Sequence, residues 1–207
     1  NILDPEILLT KYGNEAVRWY LLKDIALGND GDFQNKRFVD IINNDLANTI
    51  GNLLNRSSSM SRKWFNNKTP NQEDKNNSKI KDYANKTIDK YLAFFEKYKI
   101  DLASNEILKF AIFINLYLND KQPWTLIKDD KNIEDVKFII YNVLESCRII
   151  GLLLQPILPN LSCNILIQLG QFNNDNKSWK EKLNWGLLPL NYELPEPKPI
   201  ISKLDYD

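Results

Sequence analysis

The side chains in this sequence best suited to chemistry are polar and aromatic. Asn52 and Arg56 stand four residues apart in a long helical pattern, so one turn makes them surface neighbours. On a wheel of ~100° per residue, Phe38, Ile42, Leu46, Ile50, Leu53 and Leu54 gather into an apolar stripe. Asn52 points well away from its centre, on the side that also carries Asp45 and Asn48. Arg56 lies at the stripe's edge, where a long side chain still carries its head into solvent. An amide donates and accepts, and a guanidinium donates in a planar fork. The pair therefore has the chemistry to read the polar edge of an unstacked base. Trp124 follows Pro123 in the polar connection Asp120-Lys121-Gln122-Pro123-Trp124. An exposed indole there would give an unpaired base a surface to stack on. Spacing alone favours plainer alternatives: solvated polar residues for the pair, and an edge-of-core Trp covering a helix junction.

The elements that must position these residues are helical nearly throughout. Pro5–Tyr12 reads as a short helix, with Asp4 as N-cap, Pro5 at the first helical position and Gly13 as the stop. A second helix spans about 14–26 and ends at Gly28. The turn 28–32 follows, with Asp32 as N-cap of the next element. Residues 33–65 read as one long helix. A polar loop over 66–77 separates it from an amphipathic helix over about 80–98. Helices over 104–118 and 133–154 flank a short Pro-Trp segment at 122–127. Pro156 and Pro159 interrupt the pattern before a last helix over 161–169. Beyond Gly170, Pro189, Pro195, Pro197 and Pro199 break up a tail that can pack back through Trp179, Trp185 and Tyr192. With no β-rich segment and no repeat, the expected fold is all-α, an antiparallel helix bundle with small terminal attachments.

Composition narrows the chemistry further. With 43% hydrophobic residues, including 9 Phe, 9 Tyr and 5 Trp, the 207 residues can fill a core. Lys+Arg equals Asp+Glu, which argues against a generic polyanion binder and leaves room for one local basic face. The absence of His removes the Ser-His-Asp triad, the Cys-His pair, His-ligated zinc and the commonest general base. Cys147 and Cys163 have neither metal nor redox spacing, and both read as reduced core thiols. No signal peptide opens the chain and no apolar run reaches the ~18–20 residues of a membrane span. A cytoplasmic setting is the expectation.

Several stretches resemble a known family. Asn1-Ile2-Leu3-Asp4-Pro5 looks like the segment that follows the KMSKS loop of class I aminoacyl-tRNA synthetases. Lys11-Tyr12-Gly13-Asn14-Glu15-Ala16-Val17-Arg18 resembles the Lys-Tyr-Gly-x-Asp-Ala-Leu-Arg stretch of that class. More specific are Asn29-Asp30-Gly31-Asp32-Phe33, Ile42-Asn43-Asn44-Asp45-Leu46-Ala47-Asn48 and Gly51-Asn52-Leu53-Leu54-Asn55-Arg56. That run is similar to methionyl-tRNA synthetases where the chain passes into the anticodon-binding bundle. Pro123-Trp124 and Trp185-Gly186-Leu187-Leu188-Pro189 fit the same family.

The resemblance implies a division and a set of roles. Residues 1–35 would be a stem-contact segment, 36–170 the anticodon-binding bundle of the class I synthetase type, and 171–207 an extended tail packing back on the protein. Asn52, Arg56 and Trp124 would recognise the anticodon of the tRNA for methionine. Arg18, Lys23, Lys36 and Arg37 are possible contacts to the tRNA backbone, with solvated surface charge as the plainer alternative. Neither the HIGH signature nor the KMSKS loop is in these residues, so this piece would be non-catalytic, cut just after that loop. The parent would ligate methionine to its tRNA using ATP and Mg2+, its catalytic domain lying in the same polypeptide; whether it also holds Zn2+ stays open. No cofactor is expected in this part. The alternatives are the corresponding bundle of another class I synthetase and a helical protein-interaction module that never touches RNA.

Overall fold

Phe38, Ile42, Leu46, Ile50 and Leu54 recur every four residues, and all five are buried. On an ideal α-helix that spacing drifts by ~40° per step and would carry the stripe out of the core. The structure, a computed structural model describing residues 5–25, 28, 33–72, 79–171 and 176–206, takes up the drift by widening the helix. Helix α3 (Asn35–Ile41) runs into a π-helical segment, Ile42–Gly51, which passes directly into α4 (Asn52–Trp64). The N–H of Asn52 donates to the carbonyl of Ala47, the wider bond of a π turn. The one long helix expected over 33–65 is therefore continuous but not uniformly α.

Around this rod lie α1 (Pro5–Tyr12), α2 (Asn14–Asp24), α5 (Lys79–Phe95), α6 (Ile100–Lys121), α7 (Pro123–Leu126), α8 (Ile133–Leu154) and α9 (Pro159–Gln168). Helix α8 is the centre: residues 139–154 are buried without a break, and α4, α5, α6 and α9 pack on it. A helix buried on every side over that length lies in the middle of a bundle. Trp19 and Tyr20 of α2 belong to the same hydrophobic cluster, so the N-terminal helices share the bundle's core. The fold is all-α, with one isolated antiparallel bridge, Lys68 to Glu193, among the described residues. The expected N-cap Asp4 and the turn residues 29–32 lie outside the described residues.

Two expectations change. Cys147 is buried, and desolvation pushes its thiol up to about 12 against the opposing hydrogen bond of Ser57. Cys163, expected in the core, is exposed. Helix α9 buries Leu161, Ser162, Ile165 and Leu166, and Cys163 falls on its other face. Pro159, read as an interruption, is instead the first residue of α9. Its neighbouring free N–H groups are capped from afar by the Glu15 carboxylate, at 2.9 Å to Leu161 and 3.4 Å to Asn160.

The tail is anchored at its root by two buried charges of α8. Arg148 donates to both carboxylate oxygens of Glu145, at 2.8 and 2.6 Å, and to the carbonyls of Lys182 and Asn184 at 2.6 and 2.7 Å. Glu145 in turn accepts the N–H groups of Gly186, Leu187 and Leu188 at 2.7, 3.3 and 2.9 Å. Between these contacts and residue 176 sits α10 (Trp179–Lys182), opened by a capping box of Ser178 and Glu181. Trp179 donates to the Leu152 carbonyl at 2.9 Å. No helix among the described residues is long and apolar enough to cross a membrane.

Candidate nucleic-acid interface

A corner between α6 and α7 presents Trp124. Gln122 ends α6 in the left-handed region, at φ 43° and ψ 55°. Pro123 disfavours the right-handed helical conformation at the residue before it, so the chain must turn there. Pro123 itself is buried, and Thr125 and Leu126 donate back to the Gln122 carbonyl at 2.8 and 3.2 Å. The tight corner leaves Trp124 38% exposed, partly covered at the helix junction and partly open to solvent.

Arg56 meets this indole from α4. Its guanidinium carbon lies 5.7 Å from the centroid of the Trp124 ring, within the range of a cation–π contact. One terminal nitrogen donates to Asn119 Oδ1 at 3.1 Å. Deeper in, Asn115 ties α6 to the π segment, donating to the carbonyl of Thr49 at 3.1 Å as well as to that of Ala111 on its own helix at 3.0 Å. Asn52 stands one turn before Arg56 and is exposed, and its amide has no partner among the described residues. It lines a groove of about 530 Å³ with Asn48 and Asn55 on one side and residues 199–203 of the tail on the other. The fold thus brings Arg56 and Trp124 into contact and leaves Asn52 beside them. Such an edge can stack one planar ring and offer donors and acceptors to its rim.

The four possible backbone contacts differ in how free they are. Arg18 and Lys36 are exposed, with no ion pair among the described residues. Lys23 is largely buried and lies 3.4 Å from Asp45, which also accepts the Trp19 indole N–H at 3.0 Å. Arg37 grips Asp24 with two bonds of 2.8 Å. Those hydrogen bonds hold the Asp24 carboxyl below its ordinary value, against burial.

Sequence reasoning missed Asn119, Asn48, Asn55 and the tail's Ser202 and Lys203. The spacing of Asn48, Asn52 and Asn55 is a visible helical face. Nothing local to Asn119 or Lys203 announces where it lands.

Comparison with known proteins now has a geometry to attach to. The family described as tRNA synthetases class I (M) matches residues 1–58, and the family described as anticodon binding domain of methionyl tRNA ligase matches residues 68–204. The methionine–tRNA ligase of Thermotoga maritima is 35% identical over 208 residues, covering 99% of this chain and 32% of the relative. That of Synechocystis is 36% identical over 220 residues, covering 99% and 41%. This chain therefore spans about a third to two fifths of such relatives' length. The free-state Mycobacterium tuberculosis methionyl-tRNA synthetase superposes with a TM-score of 0.90 at 29% identity, over 99% of this chain and 42% of that one. Its methionyl-adenylate complex gives 0.87 at 30% identity, over 98% and 40%. An exposed Arg–Trp edge on an all-α bundle and family matches along almost the whole sequence agree: the chain belongs to the methionyl-tRNA ligase family, in its anticodon-binding region.

Proposed function

We propose that this chain reads the anticodon of the tRNA for methionine. The observation that carries the reading is the contact of Arg56 with Trp124 on an open edge, with the unengaged Asn52 amide one turn away. Trp124 stacks an unpaired base, Arg56 donates to its rim or to the adjoining phosphate, and Asn52 discriminates by hydrogen bonding. Residues 1–35 act as the stem-contact segment, in which Arg18 and Lys36 are better placed for phosphate than Lys23 and Arg37, whose charges already face carboxylates.

The whole protein, in this reading, is an ATP- and Mg2+-dependent ligase of the cytoplasm that joins methionine to its tRNA. This chain supplies recognition to a catalytic domain of the same polypeptide. Among the described residues no group of three or more His, Cys, Asp or Glu could hold a metal ion.

The test is binding of the chain to the methionine anticodon stem-loop, with a first-base variant and another tRNA's stem-loop as controls. Base stacking on Trp is worth ~1–3 kcal/mol, so Trp124→Ala should weaken binding by roughly one to two orders of magnitude. Its melting temperature should stay close to the parent's, since the side chain is partly exposed. Unchanged affinity in Trp124→Ala, or equal affinity for all stem-loops, overturns the reading.

A further inference from the structure

Asn52 and Arg56 stand on α4, and Trp124 stands in α7 just past the end of α6. A site shared between two helices works only when its groups are held within ~0.5 Å of the productive geometry. Whatever sets α4 against α6 therefore sets the site. Helix α6 is the fixed side of that pair, since Ile107, Phe110, Ala111, Ile114 and Leu118 are all fully buried. It holds the rod of α3, π segment and α4 at two places one turn apart. Asn119 accepts from Arg56 at 3.1 Å, and Asn115 donates to the Thr49 carbonyl at 3.1 Å. The first bond restrains one side chain. The second grips backbone, and so restrains the rotation of the helix itself.

The place that Asn115 grips is the one most able to turn. Thr49 lies in the π segment, three residues before Asn52, and π geometry is rare because regular α geometry competes with it. A change of one residue in register there turns everything beyond it by ~100°. Side chains tie the segment down along its length. Asp45 accepts from the Trp19 indole at 3.0 Å and pairs with Lys23 at 3.4 Å, and the Thr49 hydroxyl donates to the Asn44 carbonyl at 2.7 Å. Of these bonds, that from Asn115 falls nearest to Asn52.

We propose that Asn115 is a positioning residue for anticodon recognition: its bond to the Thr49 carbonyl sets the rotation of α4, so that Asn52 faces the base stacked on Trp124. The proposal rests on the anticodon-reading function above and adds to it a residue that touches no nucleotide.

Asn115→Ser isolates the bond in question. A serine hydroxyl reaches the carbonyl four residues back in its own helix, as Ser57 and Ser146 do here at 2.8 and 2.7 Å, so the bond to Ala111 survives and only the one to Thr49 is lost. Affinity for the methionine anticodon stem-loop and for its first-base variant is measured on the parent chain, Asn115→Ser, Asn52→Ala, the double mutant and Trp124→Ala, with a thermal melt of each. Asn115→Ser should shrink the ratio between the two stem-loops by roughly fivefold to tenfold, with the melt close to the parent's. In the double mutant the ratio should equal that of Asn52→Ala alone, because Asn115 acts through Asn52. Trp124→Ala should weaken both stem-loops alike. If Trp124→Ala weakens binding while Asn115→Ser keeps the parent's ratio, Asn115 has no positioning role and the anticodon reading stands. Ratio losses that add in the double mutant, or an Asn115→Ser chain too unstable to bind at all, make the residue a strut of the fold and overturn the proposal. If the parent chain does not distinguish the two stem-loops, the reading itself falls and the positioning role with it.

Discussion

Arg148 and Arg56 are the same side chain put to opposite uses. Arg148 is fully buried, and its donors go to a carboxylate and two carbonyls fixed in the fold. Arg56 is half-buried, makes one hydrogen bond to Asn119 and lays its plane near an indole. A guanidinium has five N–H donors. Where the protein engages them internally the residue fastens one part of the chain to another, and where most stay open it can bind something else. Leftover hydrogen-bonding capacity at an ordered surface separates a site from a strut.

Breaking the buried end of this comparison should have the largest effect. Glu145→Ala strands the Arg148 charge and three backbone N–H groups, and losing one partner of a buried pair costs ~3–5 kcal/mol. Chemical denaturation should show that loss, and the tail should become sensitive to protease near residues 182–188. A Glu145→Ala protein as stable as its parent would show that the tail is held by its apolar contacts alone.

At the open end the effect moves from stability to binding. Arg56→Lys keeps the charge but loses the planar fork, so stem-loop affinity should fall about tenfold while stability changes by less than ~0.5 kcal/mol. Combined with Trp124→Ala the losses should not add, because the two side chains touch. Additive losses in the double mutant would mean that the ring and the guanidinium act on separate parts of the ligand.

A third arginine gives the smallest effect. The exposed Arg37 pairs with the partly buried Asp24, and the carboxyl is held below its ordinary value chiefly by that hydrogen bond. A depressed folded value means the contribution is present above the unfolded carboxyl's ~3.9 and fades as pH falls through the folded value. Asp24→Asn should therefore cost well under ~1 kcal/mol at neutral pH and nothing at the acid end of that window. A difference between mutant and parent that persists at the acid end would assign the effect to packing.

These arginines also mark how far the sequence could be read. Helices α1 and α8 were legible to the residue, because Pro5, Gly13 and Pro156 punctuate them. Helix α6 extends further than the expected 104–118 at both ends, taking in Ile100 and Ala103, which pack on the core, and the polar last turn through Lys121. Helix α5 stops short of the expected residue 98, where Tyr98 has turned to a positive φ of 57°. The placement of Asn52 and Arg56 followed from local spacing. Their neighbours did not, since Asn119 and the tail's Lys203 come from stretches distant in sequence. The Glu145 latch was likewise invisible, because its partners are backbone groups, which every residue has.

The π segment has a consequence for how such a sequence can change through descent. A π turn uses more residues per circle than an α turn, so Ile42–Gly51 contains slack that an α-helix over the same arc would lack. A lineage that loses one residue there can tighten toward α geometry and keep Asn52 and Arg56 facing the same way. The same loss within α3 would swing them by ~100° and bring the core residues Leu53 and Leu54 round with them. Length variation is thus tolerable in the stretch next to the interface, and the helix on either side of it must keep its count.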